Sequence, residues 1–422
     1  MSPNTSTAHK FDVVIVGAGQ AGGQTALSLR KSGFAGTIAI VGSEPNAPYE
    51  RPPLSKAYLK GQLPAEDLLL RDDAHWASLG VELLLGSPVI SVDPTNKRIT
   101  TAAGRSLGYG SLVWAAGGHA RTLPLPGAGL AGVHTLRTLA DADALRTQLG
   151  TARSAVIIGG GYIGLEAASV FSSLGLTVTV LEAQDRLLAR VTSPVISEYF
   201  AQLHAAHGVD IRLGAAVKQI VPGQISAAAG GVELDSGEVL PADIVIIGVG
   251  LVPNIEPLRA AGLACSNGVD TNAFGATSAP NIYAAGDCAN AENSLAESGR
   301  IRLESVQNAT EVAKRIAASL VAGTAPREAA PWFWSNQYAT KLQTVGLLGG
   351  YDEYVVRGDS GSESFTVAYL REGVLIALDC VNTPRDFAQG RALVEARAVM
   401  DAADIADSSR ELKTLPVLAS AT

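Results

Sequence analysis

The sequence predicts an α/β protein built from two doubly wound dinucleotide-binding domains and a C-terminal α+β domain. Two observations predict the duplicated part: a glycine-rich turn occurs at 17–22 and again at 159–164, and each copy lies between a short β-branched strand and a helical segment. A third observation predicts the last domain, because short alternating strands replace this pattern after Pro331.

The first glycine-rich turn, 17–22, follows a predicted strand over 13–16 and opens a helix predicted over 22–29. Its sequence, Gly-Ala-Gly-Gln-Ala-Gly, has the G-x-G-x-x-G spacing in which backbone amides at a helix start hold a pyrophosphate. One such turn is weak evidence, because glycine-rich turns also serve ordinary strand-to-helix connections. We call residues 17–22 the first cradle.

The second glycine-rich turn repeats this context. A predicted strand over 155–158 runs into Gly-Gly-Gly-Tyr-Ile-Gly, and a helix is predicted over 164–171. We call residues 159–164 the second cradle. Two complete copies on one chain indicate two bound dinucleotides.

An acidic residue follows each cradle at a matched distance. The strand 37–41 ends at Ser43 and Glu44, and the strand 177–181 ends at Glu182. The two glutamates lie about 20 residues beyond the last glycine, where an acid accepts hydrogen bonds from an adenosine ribose. Two tight turns with two solvated acids would explain either copy alone but would leave the matched spacing a coincidence. Two dinucleotides on one chain suggest a flavin that accepts a hydride from a nicotinamide.

Length, composition and charge exclude several classes of protein. With 422 residues, 47% of them hydrophobic, the chain can form two or three globular domains. Its longest apolar stretches, such as 244–252, are shorter than the ~18 residues that span a bilayer, so no membrane helix is expected. The polar segment 1–10 lacks an apolar signal region, which favours the cytoplasm. A net charge of −8 argues against a nucleic-acid partner.

The cysteines and histidines indicate neither a disulfide centre nor a metal site. Cys265, Cys288 and Cys380 are scattered, with no C-x-x-C pair, so a redox-active cysteine pair of the kind used by flavin disulfide reductases is absent from the sequence. The six histidines are dispersed, so we predict no bound metal.

Glycines also follow the apolar strands that close each half of the duplication. These strands lie in 111–117 and 243–250, and glycine there lets a cofactor approach the carboxyl end of a parallel sheet. A third element of this kind, 281–288, contains Asp287, which alone could equally be a helix cap or a turn aspartate. The residues after Ser305 are predicted to form a helix capped by that serine.

These elements predict the domain boundaries. Residues 1–116 and 249–328 form the first dinucleotide-binding domain, 117–248 form the second, and 329–422 form the terminal domain, joined by a linker at 323–326. The predicted elements of the terminal domain are strands over 342–347, 353–356, 365–370 and 374–381 and a helix over about 385–400.

Five segments carry a family resemblance: 51–56, 159–166, 283–288, 304–308 and 331–335. With them the chain resembles, over nearly its whole length, the FAD-dependent NADH:ferredoxin reductases that supply bacterial haem monooxygenases and aromatic-ring dioxygenases, and it is most similar to the putidaredoxin reductase group. The resemblance implies a glutathione-reductase-like fold with FAD in the first dinucleotide-binding domain and NAD in the second. Several segments are shared with apoptosis-inducing factor and rubredoxin reductases, and the tryptophan-containing segment is the more selective one.

The resemblance implies that FAD occupies the first cradle. The residues implied in FAD binding are Gly17, Gly19, Ala21, Gly22, Ser43, Glu44, Arg51, Lys56, Val89, Arg137, Asp287 and Val306. Arg51 and Arg137 would neutralise the pyrophosphate, Val89 would contact the adenine through its backbone, and Asp287 would bind the ribityl chain. Val306 would direct a positive helix N-terminus toward the flavin. The alternatives are surface arginines for Arg51 and Arg137 and core packing for the two valines.

The second cradle would bind NADH. The residues implied are Gly159, Gly161, Tyr162, Ile163, Gly164, Glu182, Arg190, Gly248 and Gly250. Glu182 favours NADH over NADPH because a carboxylate repels a 2′-phosphate. Arg186 and Arg190 follow closely and are as consistent with solvated arginines as with adenine or phosphate binding.

Four residues are candidates for catalysis. We predict that Lys56, paired with Glu166, lies beside the hydride-accepting nitrogen of the flavin, as in disulfide-reductase relatives; a surface lysine and a helix-face glutamate are the alternative. Tyr162 would cover the flavin until nicotinamide displaces it, or would simply pack as an aromatic side chain. Trp334 resembles a family residue near the flavin on the ferredoxin-facing side, whereas most tryptophans, including Trp332, are expected to be buried.

The resemblance implies an acidic two-iron ferredoxin as the partner, and indirectly a haem monooxygenase or ring dioxygenase. An acidic reductase must then offer a local basic patch, for which Lys314, Arg315 and Lys413 are candidates; a solvated charged face is the alternative. A rubredoxin reductase or an NADH oxidase remains open, as does a redox-dependent interaction module resembling apoptosis-inducing factor, which predicts slow NADH turnover.

Overall fold

The computed structural model describes residues 9–223, 228–323 and 329–418. Residues 1–8 of the polar N-terminal segment and residues 324–326 of the predicted linker lie outside the described residues.

The helices and strands of the described residues follow in chain order. The helices are α1 (Gln20–Lys31), α2 (Asp73–Ser78), α3 (Leu139–Leu149), α4 (Tyr162–Ser173), α5 (Pro194–Ala206), α6 (Glu256–Ala260), α7 (Val306–Ala322), α8 (Pro384–Glu395) and α9 (Ala402–Ala406). The 3₁₀ segments are Pro52–Ser55, Ala65–Leu68, Gly286–Cys288 and Leu412–Thr414. The strands are β1 (Lys10–Val16), β2 (Ile38–Val41), β3 (Val81–Leu84), β4 (Val89–Asp93), β5 (Arg98–Thr101), β6 (Ser106–Trp114), β7 (Gly118–Ala120), β8 (Val133–His134), β9 (Ser154–Ile158), β10 (Thr177–Glu182), β11 (Asp210–Leu213), β12 (Val217–Pro222), β13 (Ala229–Leu234), β14 (Val239–Pro241), β15 (Ile244–Ile247), β16 (Leu251–Pro253), β17 (Val269–Thr271), β18 (Ile282–Ala284), β19 (Ala289–Glu292), β20 (Arg300–Arg302), β21 (Trp332–Gln337), β22 (Thr340–Gly346), β23 (Glu353–Gly358), β24 (Phe365–Arg371) and β25 (Val374–Val381).

The chain forms two compact units. The first unit takes its described residues from Met1–Glu50, Glu66–His119 and Pro253–Ala329, and the second from Arg51–Ala65, Ala120–Val252 and Ala330–Thr422. The first cradle therefore belongs to the first unit, and the second cradle belongs to the second unit.

The first unit is built on a sheet of order β3-β2-β1-β6-β5-β4, with β18 also paired to β6. Strands β1, β2, β3 and β18 run parallel to their neighbours, whereas β4 and β5 are antiparallel. The sheet branches at β6, whose first half pairs with β5 and whose second half lies between β1 and β18. Val16 and Ala284 both pair with Trp114, so the turns after β1 and β18 leave the same edge of the sheet.

Both faces of this sheet are buried, which explains why β1 is a nearly continuous apolar run. Val13 and Ile15 pack on one face with Leu29 of α1 and Ile316 of α7. Val14 and Val16 pack on the other face, in a cluster that includes residues of β4, β5 and α6.

The second unit contains a parallel sheet of order β11-β10-β9-β15-β8 and an antiparallel sheet β12-β13-β14. Its C-terminal part is an antiparallel sheet of order β21-β22-β25-β24-β23, against which α8 packs through β22 and β25. The mainly parallel sheet of the first unit, the parallel sheet of the second and the terminal α+β part confirm the predicted fold class.

Two local predictions differ from the structure. The sequence predicted a terminal helix over about 385–400, but α8 ends at Glu395 because Arg397 adopts a positive φ of 51° and Val399 pairs with Val374 and Leu418. Strand β21 was not among the predicted elements of the terminal domain; it pairs antiparallel with β22.

Across the described ranges, none of the helices has the length and apolar character needed to cross a membrane. The same ranges contain no group of three His, Cys, Asp or Glu side chains placed to hold a metal ion. Burial raises the pKa of the Cys288 and Cys380 thiols to about 12, so neither is a thiolate at neutral pH.

Candidate functional site

Two glycines of the first cradle, Gly17 and Gly22, pack tightly against neighbouring backbone. Gly17 has a φ of 116°, and a Cβ on it would lie 2.1 Å from the Ala115 carbonyl oxygen. A Cβ on Gly22 would lie 1.8 Å from the Gly17 carbonyl oxygen, so both glycines are required for the turn to reach the helix. A Cβ on Gly19, by contrast, would meet nothing within 4 Å. The cradle is therefore open at the N-cap of α1.

Three chain segments of the first unit converge at this opening. Gly286, with a φ of 75°, follows β18, and a Cβ on it would lie 2.9 Å from the Ala21 Cβ. The N-termini of α1 and α7 are adjacent, because Gln20 Nε2 donates to Thr310 Oγ1 at 3.5 Å. Gln20 Oε1 is buried and accepts no hydrogen bond from the described residues. Two helix N-termini and an unpaired acceptor fit a ligand with phosphates and hydroxyl groups, such as FAD.

Asp287 and Val306 both lie at the edges of this opening. Asp287 is half-buried in the turn after β18, and its carbonyl oxygen accepts a hydrogen bond from Arg302 at 3.0 Å. Val306 is the first residue of α7, whose N-cap Ser305 accepts a hydrogen bond from the Asn308 amide at 3.1 Å. The structure thus brings these two predicted residues to the first cradle.

The candidate ribose and adenine contacts follow β2. Ser43 and Glu44 come directly after this strand, and Tyr49 donates to Glu44 Oε2 at 2.6 Å, which fixes that carboxylate. The Ser87 amide donates to the carbonyl oxygen of Gly42, the residue after β2. This hydrogen bond places the start of β4, which begins at Val89, close to the end of β2. Val89 is half-buried, and its side chain packs against the hydrophobic cluster on one face of the sheet.

The second cradle has the same construction. Gly159 has a φ of 113°, and a Cβ on it would lie 2.5 Å from the Gly248 carbonyl oxygen. A Cβ on Gly164 would lie 2.1 Å from the Gly159 carbonyl oxygen. Cβ atoms on Gly161 and Gly250 would meet nothing within 4 Å. These glycines therefore leave the N-terminus of α4 accessible to a second dinucleotide.

Glu182, the last residue of β10, is held by the cradle itself. Its Oε2 accepts from the Gly160 amide at 2.7 Å, and its Oε1 accepts from the Gln184 amide at 2.8 Å. Arg186 donates to carbonyl oxygens of its own loop, at 2.9 Å and 2.7 Å, and to Ser197 Oγ at 2.8 Å. The Arg186 guanidinium is thus held by hydrogen bonds to neighbouring residues, whereas the Arg190 side chain is exposed.

Lys56 and Glu166 form an ion pair inside the second unit. Lys56 Nζ lies 2.5 Å from Glu166 Oε2, and the side chains are 20% and 3% exposed. Lys56 follows the 3₁₀ segment Pro52–Ser55 and also donates to the Pro52 carbonyl oxygen at 3.2 Å. The predicted pairing is therefore present in the structure, and it places a nearly buried carboxylate next to a partly exposed ammonium.

Two serines complete the environment of Glu166. Ser55 Oγ donates to Oε2 at 2.6 Å, and Ser335 Oγ donates to Oε1 at 2.7 Å. The sequence analysis missed both serines, although each stands next to a residue that it selected, Lys56 or Trp334. Their contacts with Glu166 span 111 and 169 residues of sequence, so only the fold reveals them.

Tyr162 packs inside the second unit. It is the first residue of α4, and its ring centroid lies 4.6 Å from that of Phe333. Burial, with a further contribution from Asp379, raises the pKa of the Tyr162 phenol, so it stays protonated at neutral pH. The next residue, Ile163, exposes 43% of its surface. The ring of Tyr162 thus packs on Phe333, and its proposed covering of the flavin until nicotinamide displaces it stays a prediction.

Arg51 and Arg137 are neighbours in the second unit. One Arg51 guanidinium nitrogen donates to the Arg137 carbonyl oxygen at 2.7 Å. The Arg137 amide donates to Asp141 Oδ2 at 3.0 Å, close to the N-cap of α3. The structure thus brings the two predicted pyrophosphate ligands together.

Trp334 lies on one face of the β21–β22 hairpin. Trp332, Asn336, Lys341 and Gln343 line a shallow surface pocket with it. Both tryptophans are half-buried, with ring centroids 5.5 Å apart. The face therefore combines two large aromatic rings with one exposed lysine.

The predicted basic patch is only partly available to a partner. Arg315 is 8% exposed and donates to the Ala273 carbonyl oxygen at 2.7 Å, so it is a structural residue and the prediction for it was wrong. Lys314 pairs with a glutamate one turn earlier at 2.7 Å, and Lys413 pairs with Glu411 at 3.2 Å.

Comparison with known proteins gives consistent matches over most of the chain. The family described as pyridine nucleotide-disulphide oxidoreductase matches residues 11–313, and the family described as reductase C-terminal matches residues 332–416. The chain is 51% identical over 392 residues to a ferredoxin-NAD(P)(+) reductase from Sphingomonas sp., covering 93% of this chain and 94% of that one. It is 48% identical over 405 residues to a 5,5'-dehydrodivanillate O-demethylase ferredoxin reductase subunit from Sphingobium sp., covering 96% and 98%. The putidaredoxin reductase in a covalent complex with putidaredoxin matches with a TM-score of 0.91 and 42% identity, covering 95% of this chain and 96% of that one.

Proposed function

The chain belongs to the pyridine nucleotide-disulphide oxidoreductase family, and we propose that it uses NADH to reduce a ferredoxin through bound FAD. It is an oxidoreductase whose cofactors are FAD and a nicotinamide dinucleotide, and the resemblance to ferredoxin reductases drawn from the sequence is confirmed. The observation that carries the proposal is the pair of cradles, each closed by backbone contacts on one side and open at a helix N-terminus.

The missing cysteine pair supports an acceptor other than a disulfide. The chain has three cysteines and no C-x-x-C pair, although its family is described by disulfide chemistry. When bound, FAD supplies the conversion of a two-electron hydride into single electrons, which suits a one-electron protein acceptor. We propose an acidic two-iron ferredoxin as that acceptor, serving a haem monooxygenase or ring dioxygenase, and a cytoplasmic location, where NADH is supplied.

Within this function we propose distinct tasks for the chain's own residues. The first cradle holds the FAD pyrophosphate, with Arg51 and Arg137 neutralising its charge, and the second cradle holds NADH. Lys56 places a positive charge at the flavin, and Glu166 keeps that ammonium oriented. A partly buried ion pair suits this task because its charges are little screened by solvent.

We expect NADH to be preferred over NADPH. Both Glu182 carboxylate oxygens are fixed by backbone amides, and Arg186 is held by its own loop, so a 2′-phosphate meets a fixed negative charge. Steady-state kinetics should give a kcat/KM for NADH at least about tenfold above that for NADPH. Glu182→Gln should narrow this ratio, whereas Asp185→Asn, which removes an exposed negative charge three residues later, should leave it unchanged. Equal values for the two coenzymes in the parent protein would contradict this assignment.

Trp334 is proposed to act at the outlet toward ferredoxin. Trp334→Ala should lower kcat/KM for ferredoxin about tenfold while NADH-dependent reduction of ferricyanide stays unchanged, since a small acceptor needs no protein interface. Tyr354→Ala is the matched control, because that aromatic side chain is 42% exposed and lies on β23, outside this pocket. Equal ferredoxin rates for Trp334→Ala and the parent, at matched flavin content, would exclude this role.

The choice of acceptor is tested directly with purified, FAD-loaded protein. NADH-dependent reduction of cytochrome c should depend on added two-iron ferredoxin, and rates across a panel of ferredoxins should differ. Faster turnover with a rubredoxin would identify a rubredoxin reductase, and oxygen consumption without any carrier would identify an NADH oxidase. Slow NADH turnover with every acceptor would favour an interaction module resembling apoptosis-inducing factor.

A further inference from the structure

A line of buried side chains runs from Glu166 to His204 inside the second unit. Ser335 Oγ donates to Glu166 Oε1 at 2.7 Å, and Gln337 Nε2 donates to Ser335 Oγ at 3.2 Å. His204 Nε2 lies 2.7 Å from Gln337 Oε1. Ser335, Gln337 and His204 are all fully buried. We call these three residues the Ser335–Gln337–His204 line.

The line joins three elements that are distant in sequence. Ser335 and Gln337 are two residues apart on β21, so their side chains leave the same face of the strand, opposite to the face of Trp334. Glu166 lies on α4 and His204 lies on α5. The inner face of β21 therefore connects the two helices by side-chain hydrogen bonds.

The chemistry of the groups fixes the direction of each hydrogen bond. A carboxylate only accepts, so the single hydroxyl proton of Ser335 points to Glu166. The Ser335 oxygen then accepts from the Gln337 amide nitrogen, which turns the amide oxygen toward His204. His204 must donate from Nε2. Every proton in the line thus points toward the carboxylate, an arrangement that stabilises its negative charge.

The protonation state of His204 agrees with this direction. Burial lowers the pKa of His204 to about 4, so the imidazole is neutral near pH 7 and carries one proton. With that proton on Nε2, Nδ1 is an acceptor, and it faces the Tyr338 hydroxyl at 3.4 Å. The Tyr338 ring also stacks on His207 at 3.6 Å, which closes the far end of the line.

We propose that Ser335, Gln337 and His204 are positioning residues that fix Glu166 Oε1, so that Oε2 stays directed at Lys56. A buried carboxylate oxygen without this donor would lose a charge-assisted hydrogen bond, a loss that drives the side chain to rotate or to seek another donor. Lys56 would then lose its fixed partner. The inference rests on the proposed role of Lys56, and it adds residues that act on that lysine only through Glu166.

The first test measures Lys56 without any turnover. In FAD-loaded protein lacking NADH, Lys56 is modified with an amine-reactive reagent and quantified by peptide mass spectrometry. Ser335→Ala should raise the modification rate of Lys56 about tenfold, the effect expected from losing a hydrogen bond to a charged group. Ser335→Thr, which keeps the hydroxyl, should restore the parent rate. Lys60 in the same digest is the internal control.

The second test is a double-mutant cycle on flavin reduction by NADH. Ser335→Ala should slow reduction about tenfold in the parent, with an unchanged dissociation constant for NADH, and should cause no further loss in the Lys56→Met background. Gln337→Met leaves the Ser335 hydroxyl in place but removes the amide that orients it. This variant should also raise the Lys56 modification rate and slow flavin reduction, each by less than Ser335→Ala does. It also replaces Ser335→Ala if that variant fails to fold.

These measurements separate the two proposals. Unchanged Lys56 modification in both Ser335→Ala and Gln337→Met would overturn the positioning role, as would an equal loss of rate with and without Lys56. Flavin reduction at the parent rate in Lys56→Met would instead overturn the proposed task of Lys56, while the modification experiment would still decide whether the line positions it.

Discussion

Lys56→Met is expected to slow flavin reduction by NADH about a hundredfold, the range found when one preorganised electrostatic group is removed from a reaction centre. The ammonium carries the positive charge of this pair, and Glu166, 3% exposed, has no other cation beside it among the residues described. Anaerobic stopped-flow absorbance of the flavin measures the rate directly. The dissociation constant for NADH should change little, because the second cradle is untouched.

Two controls isolate the charge in this prediction. Lys56→Arg keeps a cation and should retain more of the rate than Lys56→Met. Lys60→Met removes a lysine four residues later, which forms no ion pair in the described part of the chain, and it should leave the rate unchanged. A parent-like rate in Lys56→Met would remove the lysine from the reaction, whatever its effect on stability.

Valine substitutions at the two open glycines are expected to separate the cofactors. Gly19→Val should yield protein that purifies without flavin, whereas Gly161→Val should stay yellow but bind NADH more than about a hundredfold more weakly. A side chain at either position blocks the approach of a pyrophosphate to the backbone amides of the cradle. Losing two charge-assisted hydrogen bonds accounts for a loss of affinity of about a hundredfold. Bound flavin is measured by absorbance after purification, and NADH affinity by titration.

The backbone geometry at both glycines is compatible with a side chain. Gly19 and Gly161 have φ values of −100° and −83°, and a Cβ on either meets no atom within 4 Å. Gly150→Val is the matched control, since that glycine also has a negative φ and open space around its Cβ. A colourless Gly161→Val variant together with a yellow Gly19→Val variant would reverse the assignment of the cradles.

The parts of the fold that depend on local pattern were predictable from the sequence. Glycine spacing identified both cradles, and the structure shows why. Gly17 and Gly159 have positive φ values, and a Cβ on either would clash with the carbonyl oxygen of another residue. Strands β22 to β25 of the terminal sheet followed from their alternation, whereas β21 did not, and the helix after Ser305 begins at its predicted cap. Glycine spacing, strand alternation and helix caps depend only on residues that are close in sequence, so they can be recognised in a single sequence.

The rest depends on contacts between distant residues. Nothing near Arg315 in sequence indicates that its guanidinium reaches the Ala273 carbonyl oxygen, and nothing near Arg186 shows that it is held by its own loop. Likewise, the link between Ser335 and Glu166 spans 169 residues. A charged side chain looks the same in sequence whether it is solvated or buried, so the burial of Arg315 is visible only in the structure.

The central claim is that one chain binds FAD in the first cradle and NADH in the second, and that the bound FAD accepts a hydride from this NADH. Anaerobic titration of the purified, FAD-loaded protein with NADH, followed by visible absorbance, tests it most directly. We predict that the yellow colour of oxidised flavin bleaches as about one NADH is added per FAD, since each hydride carries two electrons. Colour that persists in excess NADH, or protein that stays colourless after reconstitution with FAD, would contradict the claim.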